Sequence, residues 1–272
     1  MTFQQKFDKI IKKNNSLVCV GLDSDISKIP PHIKKQKNPQ FLFNKAIIES
    51  THEQVCSYKL NTAFYEAIGY KGIEELKKTC DFLKKNYPEI PIIIDAKRAD
   101  IGNTNGGYTQ FVFDYLGSDA ITIHPYLGME AIRPFLEYKE KGIIILCRTS
   151  NPGAGEFQDL VSNGKPLYQI VAENVVKNWN YNGNCMLVVG ATYPEELKKV
   201  RKIVGDMTLL IPGIGAQGGD VEKTVRAGLD SHKRGIIVNS SRGIIFASKA
   251  RDFAERAQVE AEKLKNEINK YR

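Results

Sequence analysis

The stretch PIIIDAKRADIGNT, residues 91–104, runs from apolar positions straight into Asp95, Lys97, Arg98 and Asp100. Opposite charges packed this tightly suit a solvated turn, a structural salt-bridge network, or a site in which charges fix one another's positions and protonation states. Their neighbours must decide among these. Further along, GIGAQGGD (213–220) and VNSSRG (238–243) combine glycines, which let a backbone approach an anion, with Gln217 as a donor and Arg242 as a bidentate cation. That pairing of residue types suits phosphate binding.

These groups need a scaffold, and the hydrophobic period supplies one. Short apolar runs fall at 17–22, 57–61, 91–95, 119–124, 142–147, 185–190, 208–214 and 235–240. Amphipathic helical patterns lie between them, near 42–56, 72–86, 105–116, 129–139, 167–179, 194–203 and 219–228. A further helix is predicted near 248–270, and one near 3–13 would cover the start. Unbroken apolar strands, each followed by a helix, predict a parallel sheet wrapped in helices. About eight such units at this length predict a closed (β/α)8 TIM barrel, one domain over 1–272. An open doubly wound sheet is disfavoured, because no G-x-G-x-x-G follows the first strand.

A barrel places its working groups at the C-terminal ends of its strands. Read in order, those ends carry Asp23, Lys59 and Asn61, then Asp95, Lys97 and Asp100, then His124, then Arg148, Thr149 and Ser150. Gly190, Pro212 with Gln217, and Ser241 with Arg242 complete the ring. The two glycine-bearing loops fall after strands seven and eight, where barrels commonly bind phosphate. His124 has no accompanying cluster of metal ligands, so a structural role is expected for it.

Composition removes several classes of function. The chain has 272 residues, 42% hydrophobic and 26% charged, and no apolar run of the roughly 18 residues that span a bilayer. Its N-terminus, MTFQQKFDKIIKKNN, lacks the apolar core and cleavage site of a secretory signal, so a cytoplasmic protein is expected. Five scattered cysteines without a C-x-x-C pair suggest neither disulfides nor zinc. The net charge of +8 is spread over helix faces, as in KGIEELKKTCDFLKKNY, without the aromatic interleaving or module that nucleic-acid binding would call for.

DAKRADIGNT resembles the D-x-K-x-x-D signature of the orotidine 5′-phosphate decarboxylase family. The likeness extends to GLD, KLN, TSNPG, PGIGAQGGD and SSRGI in the right order over about 17–250. The forms DAKRADIGNT and TSNPGAGEFQDL resemble the longer "type 2" branch found in some bacteria and protozoa. The resemblance implies decarboxylation of orotidine 5′-monophosphate to UMP without a cofactor. It implies Lys59, Asp95, Lys97 and Asp100 as the catalytic array, with Asp100 and Thr104 contributed by the neighbouring subunit of a homodimer. Asp23 and Lys59 would hold the ribose, Ser150 or Thr149 the pyrimidine edge, and Gln217 with Arg242 the phosphate. Asn61, Pro212 and Ser241 would adjoin the substrate. No metal, nucleic-acid or membrane partner is implied. Two rivals stand beside this reading: a metal-dependent sugar-phosphate decarboxylase or synthase, which carries an acidic ligand where this chain has Lys59, and a non-catalytic phosphate or nucleic-acid binder.

Overall fold

The computed structural model describes residues 1–214 and 220–272. Among these, eight parallel strands close into a barrel. They are β1 (Val18–Gly21), β2 (Ser57–Asn61), β3 (Ile92–Arg98), β4 (Ala120–Ile123), β5 (Gly142–Arg148), β6 (Cys185–Val189), β7 (Leu209–Pro212) and β8 (Ile236–Ser240). Cys19 of β1 pairs with Ser57 on one side and Asn239 on the other, which shuts the ring. Each strand is covered on both faces, by the barrel interior and by the helical shell. This is why each reads as an apolar run without alternation. All eight lie where those runs predict them.

The helix Phe3–Asn14 opens with a capping box between Thr2 and Gln5 and buries Phe3, Phe7, Ile10 and Ile11. Burial of each such side chain contributes about 1.5–3 kcal/mol. Lys6 Nζ to Asp119 at 2.8 Å and Phe3 N–H to Glu140 O at 2.8 Å seat it beside the N-terminal ends of the strands. The closing helix, Phe253–Asn269, packs on Pro39–Thr51, with the rings of Phe253 and Phe43 stacked 5.2 Å apart. One contiguous core runs from Phe3 to Ile268, and all five cysteines are buried and free.

The structure departs from the periodic reading at several places. The helices predicted at 105–116 and 167–179 begin as α-helix, Thr104–Thr109 and Leu167–Asn174, and continue as π-helix, Gln110–Tyr115 and Val175–Trp179. Leu116 N–H reaches Phe111 O, and Asn180 N–H reaches Val175 O, both at 2.9 Å. The wider turn re-phases the apolar positions, so that Val112, Phe113 and Leu116 are all buried. Within 150–166, where the sequence shows no strand or helix period, lie a one-turn helix, Gly155–Gln158, and a hairpin pairing Val161–Ser162 with Lys165–Pro166. The third strand also outruns its apolar segment and continues through Lys97 to Arg98.

Candidate active site

The strand ends converge as the barrel requires. Asn61 of β2 lies opposite Asp95 of β3, which places Lys59 and Asp95 on neighbouring strands. Lys59 Nζ lies 3.1 Å from Asp95 Oδ2 and 3.3 Å from Asp23 Oδ1. Lys97 Nζ lies 2.7 Å from Asp95 Oδ1. Four charges from three strand ends thus form one chain, Asp23–Lys59–Asp95–Lys97. The Lys59 side chain is 4% exposed and that of Lys97 48%. The first is therefore locked between carboxylates, while the second is anchored at its tip and open to a ligand.

Backbone contacts hold the array in place. The peptides on either side of Asp23 are fixed by a buried network: Tyr65 Oη donates to Leu22 O at 2.8 Å and accepts from Ser24 Oγ at 3.3 Å and Asn44 Nδ2 at 2.9 Å. Gln40 Nε2 donates to Ser24 O at 2.8 Å. At the end of β3 the pairing with β4 slips between Ile94 and Arg98, and Lys97 and Ala99 take φ of 47° and 115°. Side chains with a Cβ rarely adopt such angles, and conformations of this kind cluster at functional sites.

Electrostatics follow from burial and partners. Burial works against a charge on Lys59, but the Asp23 and Asp95 carboxylates outweigh it and hold its pKa above that of a free lysine. Burial would also raise the Asp95 carboxyl. The ammonium groups of Lys59 and Lys97, with hydrogen bonds from Lys97 and Thr122, hold it well below the usual carboxylate range instead. Asp95 is therefore an anion throughout the neutral range, and buried Lys59 stays charged beside it.

A cavity of about 400 Å³ opens above the array. Lys59, Asp95, Lys97 and Thr122 form one side, and Leu146, Val188, Leu210 and Pro212 form an apolar wall. Thr149, Ser150, Asn151 and Gln158 edge it from the loop after β5. Thr149 is clamped by Gln158: its N–H donates to Gln158 Oε1 and its hydroxyl accepts from Gln158 Nε2, both at 2.8 Å. Arg148, buried beneath that loop, reaches Asp159 Oδ2 at 3.1 Å and stacks 4.2 Å over Tyr193. Ser150 lies against Gly190, where an added Cβ would come within 2.7 Å of the serine Cβ.

The other expected residues are placed as follows. Asn61 turns to a local task, its Oδ1 accepting the Ala63 N–H at 3.1 Å. Asp100 makes no ion pair with the array of its own chain among the described residues; its Oδ1 accepts the Ile101 N–H at 2.7 Å. Thr104 is exposed at the start of the next helix. Ser241 borders Gly21, and its buried hydroxyl has no partner among the described residues. Arg242 is exposed and opens the short helix Arg242–Ile245. Gln217 lies outside the described residues. His124 accepts the Tyr126 N–H on Nδ1 at 3.2 Å, and burial lowers its pKa despite the nearby Asp100, so it serves a turn as expected. Thr122 and Tyr65 lie in none of the quoted motifs, and Gln158 lies in TSNPGAGEFQDL without a role assigned from it. For Thr122 a weak signal existed, since it is the one hydroxyl in the run AITI.

Barrels work where their strands end, and this rim joins an apolar-walled hollow to fixed, alternating charges, one of them a cation open to a ligand. Fold and site together define a (β/α)8-barrel enzyme that manages charge on a small ligand. Residues 16–257 match the model of the Orotidine 5'-phosphate decarboxylase / HUMPS family. An orotidine 5'-phosphate decarboxylase of Cellvibrio japonicus is 46% identical over 271 residues, covering 99% of this chain and 98% of that one. That of Flavobacterium johnsoniae is 48% identical over 268 residues, covering 98% and 97%. The solved structure of Leishmania donovani OMP decarboxylase superposes with a TM-score of 0.88 at 35% identity, covering 100% of this chain and 99% of that one. The chain belongs to the orotidine 5′-phosphate decarboxylase family.

Proposed function

We propose that the protein converts orotidine 5′-monophosphate to UMP and CO2, with residues 1–272 acting as one catalytic unit. The reading rests on one observation above the rest: Asp95 bridges a locked lysine and an open one at the edge of an apolar-walled cavity. Breaking the bond from C6 to the carboxylate leaves an electron pair in the plane of the pyrimidine, where the ring delocalises it poorly. The Lys97 ammonium stabilises that pair as it develops and then gives C6 a proton, and solvent restores the lysine. Asp95 aims Lys97, and Lys59 holds Asp95 in place.

The remaining groups bind and orient the substrate. Asp23 and Lys59 take the ribose hydroxyls, Ser150 with Thr149 the pyrimidine edge, and Arg242 with Gln217 and Ser241 the phosphate. Pro212 and its apolar neighbours cover the ring. Phosphate binding far from C6 supplies energy for orientation at the reacting carbon. We assign Asp100 and Thr104 to the site of a second copy. In support, Asp100 makes no ion pair with its own array among the described residues, and the loops after β3 and β4 expose the apolar Ile101, Tyr126 and Leu127. A cytoplasmic setting suits five buried free thiols. No helix of the described residues is long and apolar enough to cross a membrane.

The test is a direct assay of orotidine 5′-monophosphate absorbance with excess chelator. Turnover under those conditions supports the reading. Strict dependence on added metal, or no turnover, would overturn it, since buried Lys59 would repel a divalent cation at this place.

A further inference from the structure

Thr122 lies on β4, is 1% exposed and borders the rim cavity. Its Oγ1 donates to Asp95 Oδ1 at 2.8 Å, and the same oxygen accepts the Lys97 N–H at 3.0 Å. One hydroxyl therefore grips both the carboxylate that aims Lys97 and the backbone from which Lys97 springs. The irregular end of β3 explains the need. Where its ladder with β4 slips and Lys97 turns to positive φ, the Lys97 N–H requires a partner off the regular ladder. A side chain of β4 provides it. Threonine suits the task because its branched Cβ restricts χ1, and its single proton and one lone pair are both engaged.

We infer that Thr122 is a positioning residue, fixing the Asp95 carboxylate relative to the Lys97 ammonium through its hydroxyl. The inference rests on the reaction proposed above. Thr122 acts through Asp95 and Lys97, and its hydrogen bonds go to neither the groups assigned to ribose nor those assigned to phosphate. Its loss therefore slows the chemical step and spares ligand affinity.

The experiment measures kcat on orotidine 5′-monophosphate, UMP affinity by calorimetry, and thermal midpoint for the wild type, Thr122→Val and Thr122→Ser. Valine keeps the shape without the hydroxyl and is expected to lower kcat by about 10- to 100-fold, while UMP affinity stays within about threefold. Serine is expected to recover most of the loss. Unchanged kcat in Thr122→Val overturns the inference. So does a parallel fall in kcat and UMP affinity, or a serine variant as slow as valine. If the valine variant does not fold, Thr122→Ala against Thr122→Ser makes the same comparison. A wild-type protein without turnover overturns the proposed reaction, and the inference with it.

Discussion

Lys59 and Lys97 touch the same carboxylate, yet their surroundings divide the labour. Lys59 is buried between two anions, while Lys97 has one and faces the cavity. Lys97→Ala is expected to cut kcat by at least about 10³-fold, the combined loss of the proposed general acid and stabilising charge, with UMP binding largely kept. Single-turnover rates and calorimetry on the same preparation check it. Asp95 makes a stability prediction as well. Its folded pKa lies below the unfolded value, so its contribution is fully present above about pH 5 and shrinks as pH falls below about 4. Asp95→Asn should cost about 2–4 kcal/mol at neutral pH by leaving Lys59 short of a partner. Urea midpoints should show that deficit narrowing toward pH 3. At this scale the sequence was legible where charges sat at strand ends, as Asp23, Lys59, Asp95 and Lys97 did. It was not legible for Thr122, Tyr65 or Gln158, whose partners lie 25, 43 and 9 positions away and meet them only after folding.

Among the elements, the strands announced themselves because burial on both faces leaves an apolar run with no alternation to misread. The two π segments did not, because one extra residue in a turn shifts the apolar phase without changing composition. The loop after β5 hid its hairpin for another reason: Ser162, Asn163, Gly164 and Lys165 read as a plain polar loop. That loop rests on Gly190, just past the end of β6, where Ser150 leaves no room for a methyl group. Gly190→Ala should therefore lower kcat/KM about tenfold by lifting Ser150 from the cavity, and cost about 1–3 kcal/mol in stability. At the opposite end, Arg201 donates to Gly228 O, Gly205 O, Met207 O and Gly235 O at 2.5–2.9 Å, tying a helix to the loops that lead into β7 and β8. Arg201→Met should cost about 2–4 kcal/mol by orphaning those carbonyls. Its kcat should remain unchanged, because the rim lies at the other end of the strands.

For the whole molecule, the proposed exchange of Asp100 and Thr104 between two copies makes activity a property of the pair. Lys97→Ala and Asp100→Ala, each inactive alone, should regain about a quarter of wild-type activity when refolded together, since half of the mixed population would hold one intact site of two. No regain on mixing would sink the shared-site arrangement. The barrel also sets its own tolerance to improvement. Ala99, 1% exposed at φ 115°, keeps a side chain where glycine would sit more easily. Ala99→Gly should raise stability by about 1 kcal/mol, the relief of backbone strain less the added freedom of the unfolded chain. The same change loosens the turn between Lys97 and Asp100 and should slow catalysis. A laboratory selecting this enzyme for heat resistance alone would tend to pick up that glycine, and one selecting for turnover would tend to discard it.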